Sequence, residues 1–178
     1  MDTAGLEAVA AKLRERNQLD CEIAEVIGRP MTSGHLAEWI ASQVFGISLN
    51  SAANQRGIDG YFTGAPLEGR SVNVKWYLKR EGILDLSPSG APDYYLVLTG
   101  PASAARSSAG TTRPWRIDFV YLFDAKELHT DLAVRGRRIG VASSVRRSTW
   151  ESAEIYPTES ARLPLTPQQR SALAGFAL

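Results

Sequence analysis

Residues 57–77, GIDGYFTGAPLEGRSVNVKWY, bring an acid, an amide and a lysine close together in the chain. Side chains alternate along SVNVKWY: Val72, Val74 and Trp76 take one face, and Ser71, Asn73, Lys75 and Tyr77 take the other. The Val/Val/Trp face is the core side. Asn73 and Lys75 then stand about 7 Å apart on the opposite face, from two steps of about 3.3 Å each. If GIDGYF and RSVNVKWYL pair as a hairpin, Asp59 can lie beside Asn73. The loop length permits that pairing without setting its register. Hydrolysis of a phosphodiester needs oxygen ligands for a hard cation such as Mg²⁺ or Mn²⁺. It also needs an activated water and positive charge near the developing phosphorane oxygens. Asp59 would be the principal ligand and Asn73 a neutral carbonyl oxygen. Lys75 would position or deprotonate the water, or offset charge on the phosphate. Glu38, on the helix that precedes these strands, would add a second carboxylate.

Each of these residues also has an ordinary structural reading. Asp-Gly is a common turn pair, a lysine on a half-exposed strand aids solubility, and a helical Glu needs no partner. Asn is the exception, because strands disfavour it.

The elements that must position this set follow from periodicity. Leu6, Val9, Ala10 and Leu13 mark an amphipathic helix over 4–16. Asp20 is expected to cap a short second helix that stops at Gly28, with Pro30 beyond it. TSGHLAEWIASQVFG reads as a third helix, capped by Thr32 or Ser33 and stopped by Gly46. Its buried stripe is Leu36, Trp39, Ile40 and Val44. From residue 47 the period changes to two, and TGAPLEG is a loop of hairpin length. PDYYLVLTG is nearly all apolar, so it predicts a central strand, and WRIDFVYLF another. PASAARSSAGTTRP, low in large apolar residues, reads as a mobile loop or an extended surface connection. Asp124 with Glu127 opens the helix AKELHTDLAV, RRIGVAS and AEIYP are short strands, and Thr166, Pro167 and Gln169 open a closing helix. The expected fold is a single-domain α/β (α+β) protein with a mixed central sheet flanked by helices. Its parts are helical residues 1–46, a sheet core at 47–123, and 124–178 with a helix, short strands and the closing helix.

The chain has 178 residues, 44% hydrophobic and 22% charged, enough for one full core. The single cysteine, Cys21, excludes an intrachain disulfide. It reads as a buried packing residue. No signal peptide and no apolar run of membrane-spanning length is seen, so a cytoplasmic protein without membrane contact is expected. The net charge of +1 hides a split: residues 1–60 carry −3 and residues 106–147 carry +5. A basic segment on a balanced chain suits a phosphate-binding face. Gln55 and Arg56 before the acid strand, and Lys79 and Arg80 after the lysine strand, are candidates for nucleic-acid contact. Arg135, Arg137, Arg138, Arg146 and Arg147 form the densest basic group and read as a solvated rim.

A helix with an inward Glu, an Asp in a first strand and (D/E)-x-K in the next is the pattern of the PD-(D/E)xK nuclease superfamily, which includes restriction endonucleases and Holliday-junction resolvases. Glu38 in GHLAEWIAS, Asp59 in GIDGYF, and Asn73 and Lys75 in VNVK resemble it. The resemblance covers roughly residues 33–99. It implies a restriction-endonuclease-like fold, metal-dependent endonuclease activity on nucleic acid, DNA above RNA, and Glu38, Asp59 and Asn73 as metal ligands. A homodimer would fit cutting of both strands of a duplex. Ile58 stands where the motif name has proline, and Asn73 where it has a second acid. Some members supply the missing carboxylate from a helix, as Glu38 would here. Others have lost the chemistry and only bind, which gives the second expectation: an inactive nuclease-like fold serving as a nucleic-acid or protein-binding module.

Overall fold

The structure, a computed structural model, describes residues 2–50, 57–88, 92–102 and 114–177. Two helices lead. In α1 (Thr3–Ile27) the Asp2 carboxylate accepts the Gly5 N–H, and the helix ends at Gly28 in the left-handed region, φ 68°. α2 (Ser33–Phe45) is capped by the Thr32 hydroxyl, which accepts the His35 N–H at 3.1 Å, and it ends at Gly46, φ 64°. Both caps use the residues that orphan N–H groups and left-handed exits favour. The expected break before Asp20 does not occur. No Gly or Pro interrupts residues 6–27, and the Asp20 carboxylate turns back one turn to Arg16 at 3.6 Å. Asp20 is therefore a helix-interior residue. Cys21 is exposed, contrary to expectation, because α1 buries only Ile27.

The strands are β1 (Ile47–Leu49), β2 (Gly60–Phe62), β3 (Ser71–Tyr77), β4 (Ile83–Leu84), β5 (Tyr94–Thr99), β6 (Phe119–Asp124), β7 (Ser143–Ser144) and β8 (Glu154–Tyr156). Between and after them lie α3 (Ala125–Val134), α4 (Arg147–Ala153) and α5 (Pro167–Ala174). Six strands form one mixed sheet in the order β1-β2-β3-β5-β6-β8, with β3 and β5 parallel and the other neighbours antiparallel. β4 and β7 make a separate two-stranded ribbon. RRIGVAS is therefore mostly loop, and only its last residue pairs. The α4 helix RSTWESA was not foreseen. The chain is thus a single-domain α/β fold with a mixed sheet flanked by helices.

Both faces of the sheet are covered. On one, Val72, Val74, Leu96 and Leu98 pack with Ala37, Ile40, Ala41 and Val44 of α2 and Leu173 of α5. On the other, Tyr95, Val97, Tyr121 and Phe123 pack with Leu128 and Leu132 of α3, Trp150 of α4 and Leu84. The α5 capping box forms as expected, Thr166 with Gln169, and the Gln169 amide also donates to the Val44 carbonyl at 2.8 Å. Among the described residues no helix is long and apolar enough to cross a membrane.

One contact seats the strand that leads out of the Asp59 turn. A Cβ on Gly60 would lie 2.4 Å from the Ser48 carbonyl oxygen and 2.8 Å from Ile47 Cγ2. No side chain fits between β1 and β2 there. Gly60→Ala is expected to cost about 1–3 kcal/mol by overpacking, measured as a lower midpoint in chemical denaturation. An unchanged midpoint would show that β1 yields freely.

Candidate active site

Asp59 sits where the β2–β3 ladder breaks. Phe62 N–H bonds to the Arg70 carbonyl at 3.0 Å, and Asp59 N–H bonds to the Val72 carbonyl at 2.9 Å. Between these bonds β2 advances one residue more than β3, which is the signature of a bulge. The Asp59 carbonyl accepts the Asn50 N–H at 2.9 Å, and Asn50 Nδ2 donates to the Ile58 carbonyl at 3.0 Å. The backbone around Asp59 is therefore held from both sides. Its carboxylate Oδ2 accepts the N–H of Val74 at 2.7 Å. Val74 is the residue between Asn73 and Lys75, so the acid is bonded to the backbone of the segment that carries the amide and the lysine.

Asn73 is 6% exposed. Its Oδ1 is buried and accepts no hydrogen bond among the described residues. A buried amide oxygen without a donor costs free energy, so an electropositive group would be welcome there. Asn73 and Lys75 line one groove of about 180 Å³ with Gly57, Asp85, Leu86, Ser87 and Tyr95. That volume equals roughly six waters at about 30 Å³ each, room for a phosphate and its hydration. Lys75 forms no ion pair within 4.0 Å among the described residues.

Glu38 approaches from α2, on the Val72/Val74 side of the sheet, and its charge acts on Asp59. It does not line the Asn73/Lys75 groove. Asp59 therefore feels the charge of Glu38 as well as that of Lys75. Glu38 is held by Arg29, Nη1 to Oε2 at 2.5 Å. Arg29 was not singled out from sequence. It follows the left-handed Gly28 in the short link between α1 and α2, and only the helix packing brings it to Glu38. Asp85 was also missed. Its carboxylate accepts the Ala142 N–H at 2.8 Å and the Tyr77 hydroxyl at 3.3 Å, and it adds a carboxylate to the groove from the loop after β4. The ring of His35, three residues from Glu38, is bonded instead to the Pro30 carbonyl at 2.8 Å.

Among the described residues no three His, Cys, Asp or Glu side chains cluster to hold a metal ion. The oxygens near this place are the Asp59 carboxylate, that of Glu38 on the α2 side of the sheet, and the Asn73 amide on the other side. Gln55 and Arg56 lie outside the described residues. Lys79 pairs with Glu81 at 2.6 Å. The Arg80 guanidinium stands 5.8 Å from the Tyr121 ring centre and 6.0 Å from that of Trp150. Neither residue lines the groove. In the basic group, Arg135 and Arg146 both pair with Asp131, and Arg147 with Glu151.

Burial pushes the Asp59 carboxyl above its ordinary value near 3.8, and the Glu38 charge adds to the rise; the Val74 N–H, Lys75 and Arg29 work against it. The native state therefore holds this proton more tightly than the unfolded chain does. Stability from this group is greatest at low pH and declines as pH rises through the native value. Asp59→Asn keeps an oxygen for the Val74 N–H and removes the charge. The variant is expected to melt at a higher temperature than the parent at pH 7, with the gap closing by about pH 3. A lower melting temperature at pH 7 would mean that the ionised acid is a net stabiliser.

The chain matches no known protein-family model and no curated protein.

Proposed function

We propose that this protein is a divalent-cation-dependent endonuclease of the restriction or repair type, with a restriction-endonuclease-like fold, that hydrolyses phosphodiester bonds of nucleic acid, DNA above RNA. The observation that carries the reading is the bond from the Asp59 carboxylate to the Val74 N–H, which ties the acid to the strand segment bearing Asn73 and Lys75. The Asp59 carboxylate and the buried, unpartnered Oδ1 of Asn73 are oxygens of the kind a hard cation takes, and Glu38, whose charge reaches Asp59 from the α2 side, is proposed as the third. These three residues would hold Mg²⁺ or Mn²⁺, which when bound supplies Lewis-acid charge and an acidified water. Asp59 is held in one orientation by its backbone bond. Lys75, which lines the groove beside Asn73, brings an ammonium to orient water or to face a phosphate oxygen. Lys79, Arg80, Gln55 and Arg56 are proposed to meet the nucleic-acid backbone. A cytoplasmic setting without membrane contact belongs to the same proposal.

The test is cleavage of plasmid, linear, single-stranded and branched DNA, and of RNA, with Mg²⁺, Mn²⁺ or EDTA. Lys75→Ala is expected to lower the metal-dependent rate by at least about 10²-fold with an unchanged circular dichroism spectrum. An unchanged rate would remove Lys75 from the chemistry and with it this mechanism.

A second reading, an inactive nuclease-like fold that binds nucleic acid or protein, is favoured by the charge balance of the site. Glu38 is already neutralised by Arg29, and Asn73 stands where an acid would be. Arg29→Ala separates the two readings. For a metal site it frees Glu38, and titration calorimetry should show Mn²⁺ bound roughly three- to tenfold more tightly. No Mn²⁺ binding in either protein, with no cleavage, would favour the binding module.

A further inference from the structure

Two loops leave the carboxyl ends of the parallel pair β3 and β5, the edge of an α/β sheet where ligands commonly seat. They run together as backbone. The Arg80 N–H donates to the Pro101 carbonyl at 3.1 Å, and the Gly100 N–H to the Tyr77 carbonyl at 3.2 Å. A Cβ on Gly100 would lie 2.1 Å from the Leu78 carbonyl oxygen, so no side chain fits between the loops there. Toward α4, the Gly82 carbonyl accepts the Val145 N–H at 2.9 Å. Arg80 therefore stands on a frame that backbone bonds hold from both sides.

The Arg80 guanidinium is placed by rings rather than by an acid. It lies 5.8 Å from the Tyr121 ring centre and 6.0 Å from that of Trp150, and both rings are fully buried. Among the described residues no carboxylate comes within 4.0 Å of it. Ring contacts hold a cation, but they offer its five N–H groups no oxygen. Beside it lies a cavity of about 350 Å³ lined by Arg80, Gly82, Ala102, Arg147 and Trp150, a volume within the range of small-ligand pockets, about 300–1,000 Å³. Arg147 brings a second guanidinium from α4. Glu151 engages it at 2.8 Å, but the two side chains are 83% and 55% exposed, and such a pair is weak. Glu154 acts on Tyr121 from β8 without lining the cavity. Among the described residues the cavity is thus lined by two cations and no carboxylate. An oxyanion supplies what both lack, several acceptors for forked donors.

We propose that this cavity binds a phosphate monoester through Arg80 and Arg147, with room for the group that carries the phosphate. A monoester brings a charge of about −1.5 to −2 at pH 7, where each backbone diester brings one. The cavity shares no lining residue with the Asn73/Lys75 groove, and the inference does not rest on the nuclease reading.

Titration calorimetry of the full chain in EDTA tests it, with neither metal nor cleavage involved. The probes are inorganic phosphate, adenosine monophosphate, and one oligonucleotide with and without a 5′-phosphate. Arg80→Gln is expected to weaken binding of the monophosphate at least about tenfold. Arg147→Gln, at an exposed position, should weaken it about threefold with folding intact, and Glu151→Gln should tighten it by a similar factor. A gain in oligonucleotide affinity from its 5′-phosphate marks a pocket for strand ends. Monophosphate binding without that gain marks a pocket for a small molecule, and either result supports the proposal. No binding of inorganic phosphate or the monophosphate at about 5 mM would overturn it. So would an affinity for the monophosphate that neither arginine variant changes.

Discussion

The Val74 N–H is the hinge of the candidate site. It lies at the edge of two packed layers, where a backbone donor cannot be left without a partner. In an unbroken hairpin the next carbonyl of the neighbouring strand would take it. Here the bulge at Asp59 withdraws that carbonyl, and the Asp59 carboxylate takes its place at 2.7 Å. One bond thus ends the strand pairing, satisfies the sheet and holds an acid against the segment that carries Asn73 and Lys75. The price is burial of a carboxylate, which raises its proton affinity. A surface acid would not bear that cost, and nothing in the strand pairing alone requires it.

Charge around the acid is arranged in opposites. Glu38 has Arg29, and Asp59 has Lys75 within electrostatic reach. The two carboxylates would otherwise repel each other across the end of the sheet. The Arg29 guanidinium is already seated on Glu38 at 2.5 Å.

Much of this was legible in the sequence where the signal is local. Alternation in SVNVKWY correctly sorted Val72 and Val74 from Asn73 and Lys75, and the caps at Thr32, Gly46 and Thr166 were readable because capping chemistry lies within a few residues. The cover over the second face was not. That face is closed by Leu84, Leu128, Leu132 and Trp150, which come from three separate segments, so the strand reads as half-exposed while Asn73 is 6% exposed. β4 and β7 are two residues each and exist only because they pair with one another. Arg29 and Asp85 reach the site through tertiary packing, and no spacing rule marks either. The Asp20 break failed for the opposite reason: a residue that favours caps was placed mid-helix, where Arg16 one turn away satisfies it.

The central strand β5 links the two halves of the interior. Leu96 and Leu98 enter the cluster under α2, while Tyr95 and Val97 enter the cluster under α3 and α4. Neighbouring residues thus belong to different cores, and β6 repeats the division. Neither layer can loosen without exposing backbone that the other still holds. Amide protons of β5 should therefore exchange only through global opening, so that the protein melts as one cooperative unit. The long leading helix, with a single anchored side chain, stands outside that unit.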